Sequence, residues 1–267
     1  MKKLLLQMMT KTIAIFCLCC WFAFAQTASL LAAEIFPNLD GAALEAAIAN
    51  EYRPERSLGY RRGRDILYTQ IDNQDGIVTG IYTGYQAAIT PDSESPRNDA
   101  TAQNINAEHI YPQSKGAKGQ AKSDLHSLFA SRDRVNSARS NSPFAEINDA
   151  LTQKWFRNEQ ELRSIPTELI NEYSESLNNQ LFEPRENKKG DVARAMFYFY
   201  TVYRFQADEE DPNYFPPQQT TLCQWNIDDP INSQEQERSR RVAEFQGNEN
   251  PFVLDSSLAQ RTYCREP

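Results

Sequence analysis

Imidazole is almost absent from this sequence: 267 residues contain two histidines, His109 and His126. A zinc shell built on histidine is therefore excluded unless cysteines complete it, and cysteine is scarce as well. Of the five cysteines, Cys17, Cys19 and Cys20 crowd the N-terminus, while Cys223 and Cys264 lie too far from either histidine for zinc-ligand spacing. Positive charge is also short, with 28 Lys and Arg against 36 Asp and Glu and a formal charge of −8. That balance argues against a passive nucleic-acid binder, which normally carries excess base. No apolar run reaches the roughly 20 residues needed to span a bilayer. Internal repeats, low-complexity tracts and long linkers are missing too, which excludes a solenoid or a disordered tail.

What remains at the N-terminus is an export signal. Lys2, Lys3 and Lys11 precede an apolar segment, Thr12 to Phe24, and Ala23-Phe24-Ala25 fits a small-x-small cleavage site. Residues 1–25 are read as the signal, with Ala33 a second candidate cut, and 34–267 as a single domain of one or two lobes. Its removal takes Lys2, Lys3 and Lys11 away, so the charge moves from −8 to −11. The expected location is secreted or periplasmic, with no stable membrane association. In an oxidising compartment the two surviving cysteines, Cys223 and Cys264, predict one disulfide.

Hydrophobic periodicity gives an α+β, helix-rich fold. Asp40 to Tyr52 has helical spacing behind an Asp40 cap, and Arg61 to Ile71 predicts a second helix closing at Asp72-Asn-Gln-Asp-Gly76. That turn brushes a calcium-loop pattern but fails it, because Ile71 and Tyr82 occupy the positions for carboxylates. Ile77–Thr83 and Tyr85–Thr90 read as strands, and Pro91 to Gln103 as a loop. Ile105–Tyr111 and Leu125–Ala130 are strand-like, followed by a helix over Ser131–Arg139. Helices are expected over Ala150–Asn178, over the aromatic Asp191–Phe205, and over Gln234–Phe245, ending near Gly247. A Pro-rich loop (Pro212, Pro216, Pro217) intervenes. Phe197–Tyr203 reads as core, and the acidic stretch Asp208 to Asp211 as a solvated loop.

Both histidines fall in a window that also holds Glu108, Asp124, Asn136, Arg139 and Asn141. Histidine is the side chain whose ordinary pKa suits proton transfer near neutrality. A hard cation such as Mg²⁺ needs few protein oxygens, since it keeps waters and takes substrate phosphate. Glu108 can supply the anionic oxygen, Asn136 a neutral one, His109 a base, and Arg139 with nearby lysines the phosphate contacts. Adjacent strand residues face opposite ways, so Glu108 and His109 serve one site only if the strand ends there; Pro112 predicts that it does.

The segments Asn106-Ala-Glu108-His109-Ile-Tyr-Pro112-Gln113-Ser114, Ser123-Asp124-Leu-His126-Ser-Leu128 and Val135-Asn136-Ser-Ala-Arg139-Ser-Asn141 resemble the bacterial endonuclease I family. These are exported nucleases of the ββα-metal (His-Me finger) group. Further matches are Ala193-Arg194-Ala195-Met-Phe-Tyr-Phe-Tyr and the run from Glu237 to Phe252 containing Gln246-Gly247-Asn248. The likeness covers most of 104–264, with a weaker stretch at Tyr60–Tyr85, and places a ββα-metal core at about 104–141. The resemblance implies Mg²⁺ on Glu108 and Asn136, with Mn²⁺ or Ca²⁺ able to substitute, and His109 as general base. It also implies DNA as substrate, with RNA left open, and products with 5′-phosphate and 3′-hydroxyl ends. One departure stands out. Some members carry an insertion after the first histidine, with cysteines and an Arg on the scissile phosphate; here Ile110 to Ser123 has neither. Lys115, Lys118, Lys122 and Arg139 are thus the candidate phosphate contacts.

Asp124, His126 and Asn141 read as scaffold groups near the site, and the protein as a monomer. Two alternatives remain: a secreted binding or scaffold protein on an inactive nuclease fold, and an exported glycosidase using paired carboxylates. The intact Glu108, His109 and Asn136 weigh against the first. No carboxylate pair stands out to favour the second.

Overall fold

The computed structural model describes residues 34–265; the predicted signal segment and its cut sites lie outside the described residues. Helix α1 (Gly41–Glu51) buries Leu44 and Ile48, while Asp40 sits at its N-cap position without a side-chain cap bond. Helix α2 (Tyr60–Ile66) continues into a wider π turn over Leu67–Ile71. A small antiparallel sheet follows: β1 (Asn73–Gln74), β2 (Ile77–Thr79) and β3 (Gln86–Ala88). The expected loop 91–103 instead contains helix α3 (Pro96–Ala102), with Pro96 in the first turn and Ala100 buried. Proline is at home there because the first helical N–H groups have no intrahelical acceptor.

Strands β4 (Ile105–His109) and β5 (Leu128–Arg132) form an antiparallel hairpin pairing Glu108 with Phe129 and His109 with Leu128. Helix α4 (Asp133–Arg139) starts directly from the end of β5. The second strand therefore begins later than expected. Asp124 to Ser127 form a turn closed by Ser127 N–H donating to the Asp124 carbonyl at 3.1 Å, so Asp124 and His126 precede the strand.

The largest correction concerns Ala150–Asn178, which is sheet and not helix. Strands β6 (Lys154–Arg157), β7 (Gln160–Leu162), β8 (Ser174–Leu177) and β9 (Leu181–Glu183) pair in the order β7-β6-β8-β9. The turns explain it. Asn158, Asn178 and Asn179 take positive φ of 48°, 33° and 58°, a left-handed conformation that asparagine tolerates well and a helix interior does not. Pro166 also interrupts any helix in this range.

Helix α5 (Lys189–Val202) is buried along all fourteen residues; its charged members are buried in ion pairs, Lys189 with Glu183, Asp191 with Lys188 and Arg194 with Glu235. It carries the predicted aromatic core: Phe197 stacks on Tyr263, Phe199 on Tyr111, and Tyr200 on Phe215. Helix α6 (Arg204–Glu210) takes in most of the acidic stretch read as a loop. Helix α7 (Gln219–Asp228), not anticipated from sequence, buries Leu222 and Trp225 and bears Cys223. Helix α8 (Ser233–Gln246) is capped by the Asn232 side chain and ends at Gly247, φ 89°. Short helices α9 (Pro251–Leu254) and α10 (Leu258–Thr262) close the described chain.

Cys223 and Cys264 are bonded, tying α7 to the segment after α10 across a sequence separation of 41. A loop of that length corresponds to roughly 3–4 kcal/mol in the chain-entropy picture. Reduction is expected to lower Tm on the order of 10 °C while leaving activity at low temperature near that of the oxidised protein. Scanning calorimetry with and without reductant, beside an activity assay, checks this; equal melting temperatures would contradict it.

Candidate active site

The hairpin ends where its chemistry begins. His109 is the last residue of β4 and is 7 % exposed. Its Nε2 lies 2.9 Å from the Lys122 carbonyl oxygen. A carbonyl only accepts, so Nε2 carries the proton and Nδ1 keeps a lone pair. Gln113 Nε2 approaches that Nδ1 at 3.4 Å. Burial pushes the imidazole pKa down to about 4, with Lys122, Arg139 and Arg64 adding to the fall and the Lys122 carbonyl opposing it. The ring is thus neutral at pH 7, oriented, and holding one basic nitrogen.

Glu108, one residue earlier, is buried on the face toward α4. Its Oε1 accepts from the Tyr82 hydroxyl at 2.7 Å and pairs with Arg139 Nη1 at 3.3 Å. Its Oε2 accepts no hydrogen bond among the described residues. Burial pushes the carboxyl pKa up, while Arg139 and the Tyr82 hydroxyl pull it down. Asn136 on α4 donates from Nδ2 to Asn106 Oδ1 at 2.7 Å and to the Ala107 carbonyl at 3.3 Å. Both amide protons are turned toward β4, and Asn136 Oδ1 has no donor among the described residues. One carboxylate oxygen and one amide oxygen are therefore left without partners on adjoining elements. This donor set suits a hard divalent cation that retains waters. Nowhere among the described residues do three or more His, Cys, Asp or Glu side chains gather in ligand geometry.

The structure does not bring Arg139 to the surface. It is 1 % exposed, donating to the His109 carbonyl at 3.1 Å, the Ile110 carbonyl at 2.8 Å and the Tyr214 hydroxyl at 3.1 Å. The carbonyls beyond the end of β4 have no strand partner, and the guanidinium fork takes them. Arg139 thus pins the strand end that presents Glu108 and His109. Two of the three lysines are likewise occupied: Lys115 pairs with Asp211 at 2.7 Å, and Lys118 with Glu210. The acidic stretch read as solvated is their partner. Lys122 has no anionic partner among the described residues, and its Nζ sits 4.5 Å from the Tyr60 ring centroid. Asn141 donates to Ser114 Oγ at 3.3 Å, at the rim.

Asp124 is a buried hub. Its Oδ2 accepts from the hydroxyls of Tyr198 and Tyr203, both at 2.8 Å, and its Oδ1 from Gln246 Nε2 at 2.7 Å and His126 N–H at 3.0 Å. The turn before β5 is thereby bolted to α5 and α8. His126 donates to the Asn248 carbonyl at 2.9 Å and meets Tyr198 edge-on. Its surroundings also contain the Asp124 carboxylate and the Arg238 guanidinium. Burial lowers its pKa to about 4, with Asp124 and the Asn248 carbonyl opposing the fall. A depressed folded pKa favours the neutral ring, so this contribution is present above about 6.5 and is lost as pH falls toward 4. It amounts to about 3 kcal/mol at most. His126→Gln, which keeps an N–H donor, should show a shallower fall in Tm between pH 7 and 4.5 than the parent. An identical slope would contradict the assignment.

Three contributors escaped the sequence reading: Tyr82 on Glu108, Gln113 on His109, and Tyr60, whose ring centroid lies 5.4 Å from that of His109. Tyr60 and Tyr82 lie in the stretch of weaker family likeness, which was the available signal.

Known proteins resemble the chain over much of its length. The chain is 29 % identical over 164 residues to the extracellular ribonuclease of Bacillus subtilis, covering 55 % of this chain and 50 % of the relative. It is 27 % identical over 208 residues to an extracellular deoxyribonuclease of Aeromonas hydrophila, covering 67 % and 83 %. A periplasmic deoxyribonuclease of the same organism is 26 % identical over 189 residues, covering 62 % and 71 %. The matched region spans about half the length of the Bacillus relatives. The sequence profile of the family described as Endonuclease I matches residues 41–257, which is most of the chain and includes every residue of the β4–β5–α4 site: the protein belongs to the endonuclease I family.

Proposed function

We propose that the chain is an exported, Mg²⁺-dependent endonuclease of little sequence preference, hydrolysing phosphodiester bonds of DNA and also of RNA. The observation that carries this reading is the pairing, on one hairpin-and-helix unit, of a neutral oriented imidazole with two unpartnered oxygens on Glu108 and Asn136. The unit is read as a ββα-metal motif. Relatives named extracellular and periplasmic support export; no helix among the described residues is long and apolar enough to cross a membrane. Relatives named deoxyribonuclease and ribonuclease support both polymers.

In this mechanism His109 Nδ1 takes a proton from the attacking water, while the Nε2–H bond to the Lys122 carbonyl steadies the imidazolium that forms. Glu108 and Asn136 would hold the cation, and Tyr82 and Arg139 fix the carboxylate through Oε1, leaving Oε2 free to ligate. When bound there, a divalent cation would supply positive charge to offset the negative charge that the phosphate gains in the transition state. The bond between phosphorus and the 3′ oxygen breaks, so phosphate stays on the 5′ end. Cut ends should accept label from a polynucleotide kinase only after phosphatase treatment. Direct labelling without phosphatase would overturn the direction of cleavage.

A further inference from the structure

A nuclease must hold the phosphate it attacks, yet the candidates legible in the sequence are mostly engaged elsewhere. Arg139 is buried, Lys115 and Lys118 are ion-paired, and the Ile110–Ser123 connection contains no arginine. Free cations are found on another element. Helix α2 carries Arg61, Arg62 and Arg64, none of which forms an ion pair or a side-chain hydrogen bond among the described residues. The Arg64 guanidinium carbon sits 4.4 Å from the Tyr60 ring centroid, and Lys122 Nζ sits 4.5 Å from the same centroid. That ring adjoins the His109 imidazole.

Resting on the nuclease reading above, we infer that Arg64 and Lys122, held together by Tyr60, grip the nucleic-acid backbone phosphate beside His109. Arg64 Nε is buried without any hydrogen-bond partner and its Nη atoms make no hydrogen bond among the described residues, so the protein leaves the guanidinium unclaimed for a phosphate. Both cations contact one aromatic ring, where cation–π attraction offsets some of their mutual repulsion, and neither has an anionic partner among the described residues. Lys122 is also the residue whose carbonyl orients His109, so its backbone is fixed relative to the base, while the Tyr60 ring places its ammonium. Gly63 packs directly against Ser123, whose carbonyl oxygen lies 3.4 Å from where a Cβ would stand, so α2 is in contact with the turn bearing Lys122. The acidic neighbour Asp65 does not quench the patch, since it pairs with Arg97 at 2.7 Å. Exposed Arg61 and Arg62 extend the positive surface along α2. Contacts of this kind position the backbone without reading bases.

The test is fluorescence anisotropy with a labelled DNA duplex of arbitrary sequence, in EDTA so that nothing is cut, across a salt series. Each lost phosphate contact lowers the slope of log affinity against log salt by about 0.9. Arg64→Ala and Lys122→Ala should each weaken binding and flatten the slope, Arg64→Lys should restore most of the slope, and Lys115→Ala/Lys118→Ala should match the parent. With Mg²⁺ added, Arg64→Ala should raise KM more than it lowers kcat. Should Arg64→Ala not fold, Arg61→Ala/Arg62→Ala, at exposed positions, must still flatten the slope. Parental affinity and slope in Arg64→Ala/Lys122→Ala, with DNA still cut by the parent, would overturn this assignment alone. A parent that neither binds nor cuts would overturn the nuclease reading with it.

Discussion

His109→Ala is expected to lower kcat by about 10²–10⁴-fold, the usual contribution of a positioned general base, with little change in KM. The Nε2–H bond to the Lys122 carbonyl leaves Nδ1 as the single basic atom, and alanine supplies none. Stability should change little, because the side chain lies at a strand end and its main polar contact is one hydrogen bond, worth about 1 kcal/mol net. Added imidazole, free to enter the space beside Tyr60, should restore part of the rate. His126→Gln should not share the defect, since His126 faces Asp124, Tyr198 and Asn248 in the interior. Near-parental kcat in His109→Ala would remove this residue from the mechanism.

Glu108→Gln should raise the metal concentration needed for half-maximal rate by at least about 10²-fold, more than the 10–100-fold typical of groups that merely support a ligand. The substitution keeps shape and an acceptor for the Tyr82 hydroxyl but removes the one negative charge of the donor pair. It also leaves the buried Arg139 guanidinium without its anion, so Tm should fall as well. Assays well below the new Tm separate the two effects. Asn136→Ala removes a neutral donor and should act in the same direction with a smaller shift. A rate-versus-Mg²⁺ curve for each variant decides the matter, and an unshifted curve for Glu108→Gln would place the cation elsewhere.

What the sequence revealed was local. Glu108, His109 and Asn136 lie on neighbouring elements, and short-range patterning sufficed to put them on a hairpin and a helix. The α5 core was legible for the same reason, since its aromatic residues are contiguous. The failures were long-range or hidden in turns. The partner of Lys115 is ninety-six residues away, so nothing nearby revealed that its charge was spent. Arg139 stood open between a salt bridge and a phosphate contact, because two of its acceptors are backbone carbonyls, which carry no sequence mark. The missed sheet was announced only by asparagines at left-handed turns, and α3 by a Ser-Pro pair followed by an acidic residue. The second strand was placed early because Leu125, though buried, packs from a turn.

The account stands or falls on metal-dependent cutting of nucleic acid. Supercoiled plasmid incubated with the purified protein should be nicked and then degraded in Mg²⁺, left intact in EDTA, and cut again when Mg²⁺ is restored in excess. Intact plasmid under every metal condition would instead indicate a binding or scaffold protein on an inactive nuclease fold, and undiminished cutting in EDTA would contradict a cation held by Glu108 and Asn136.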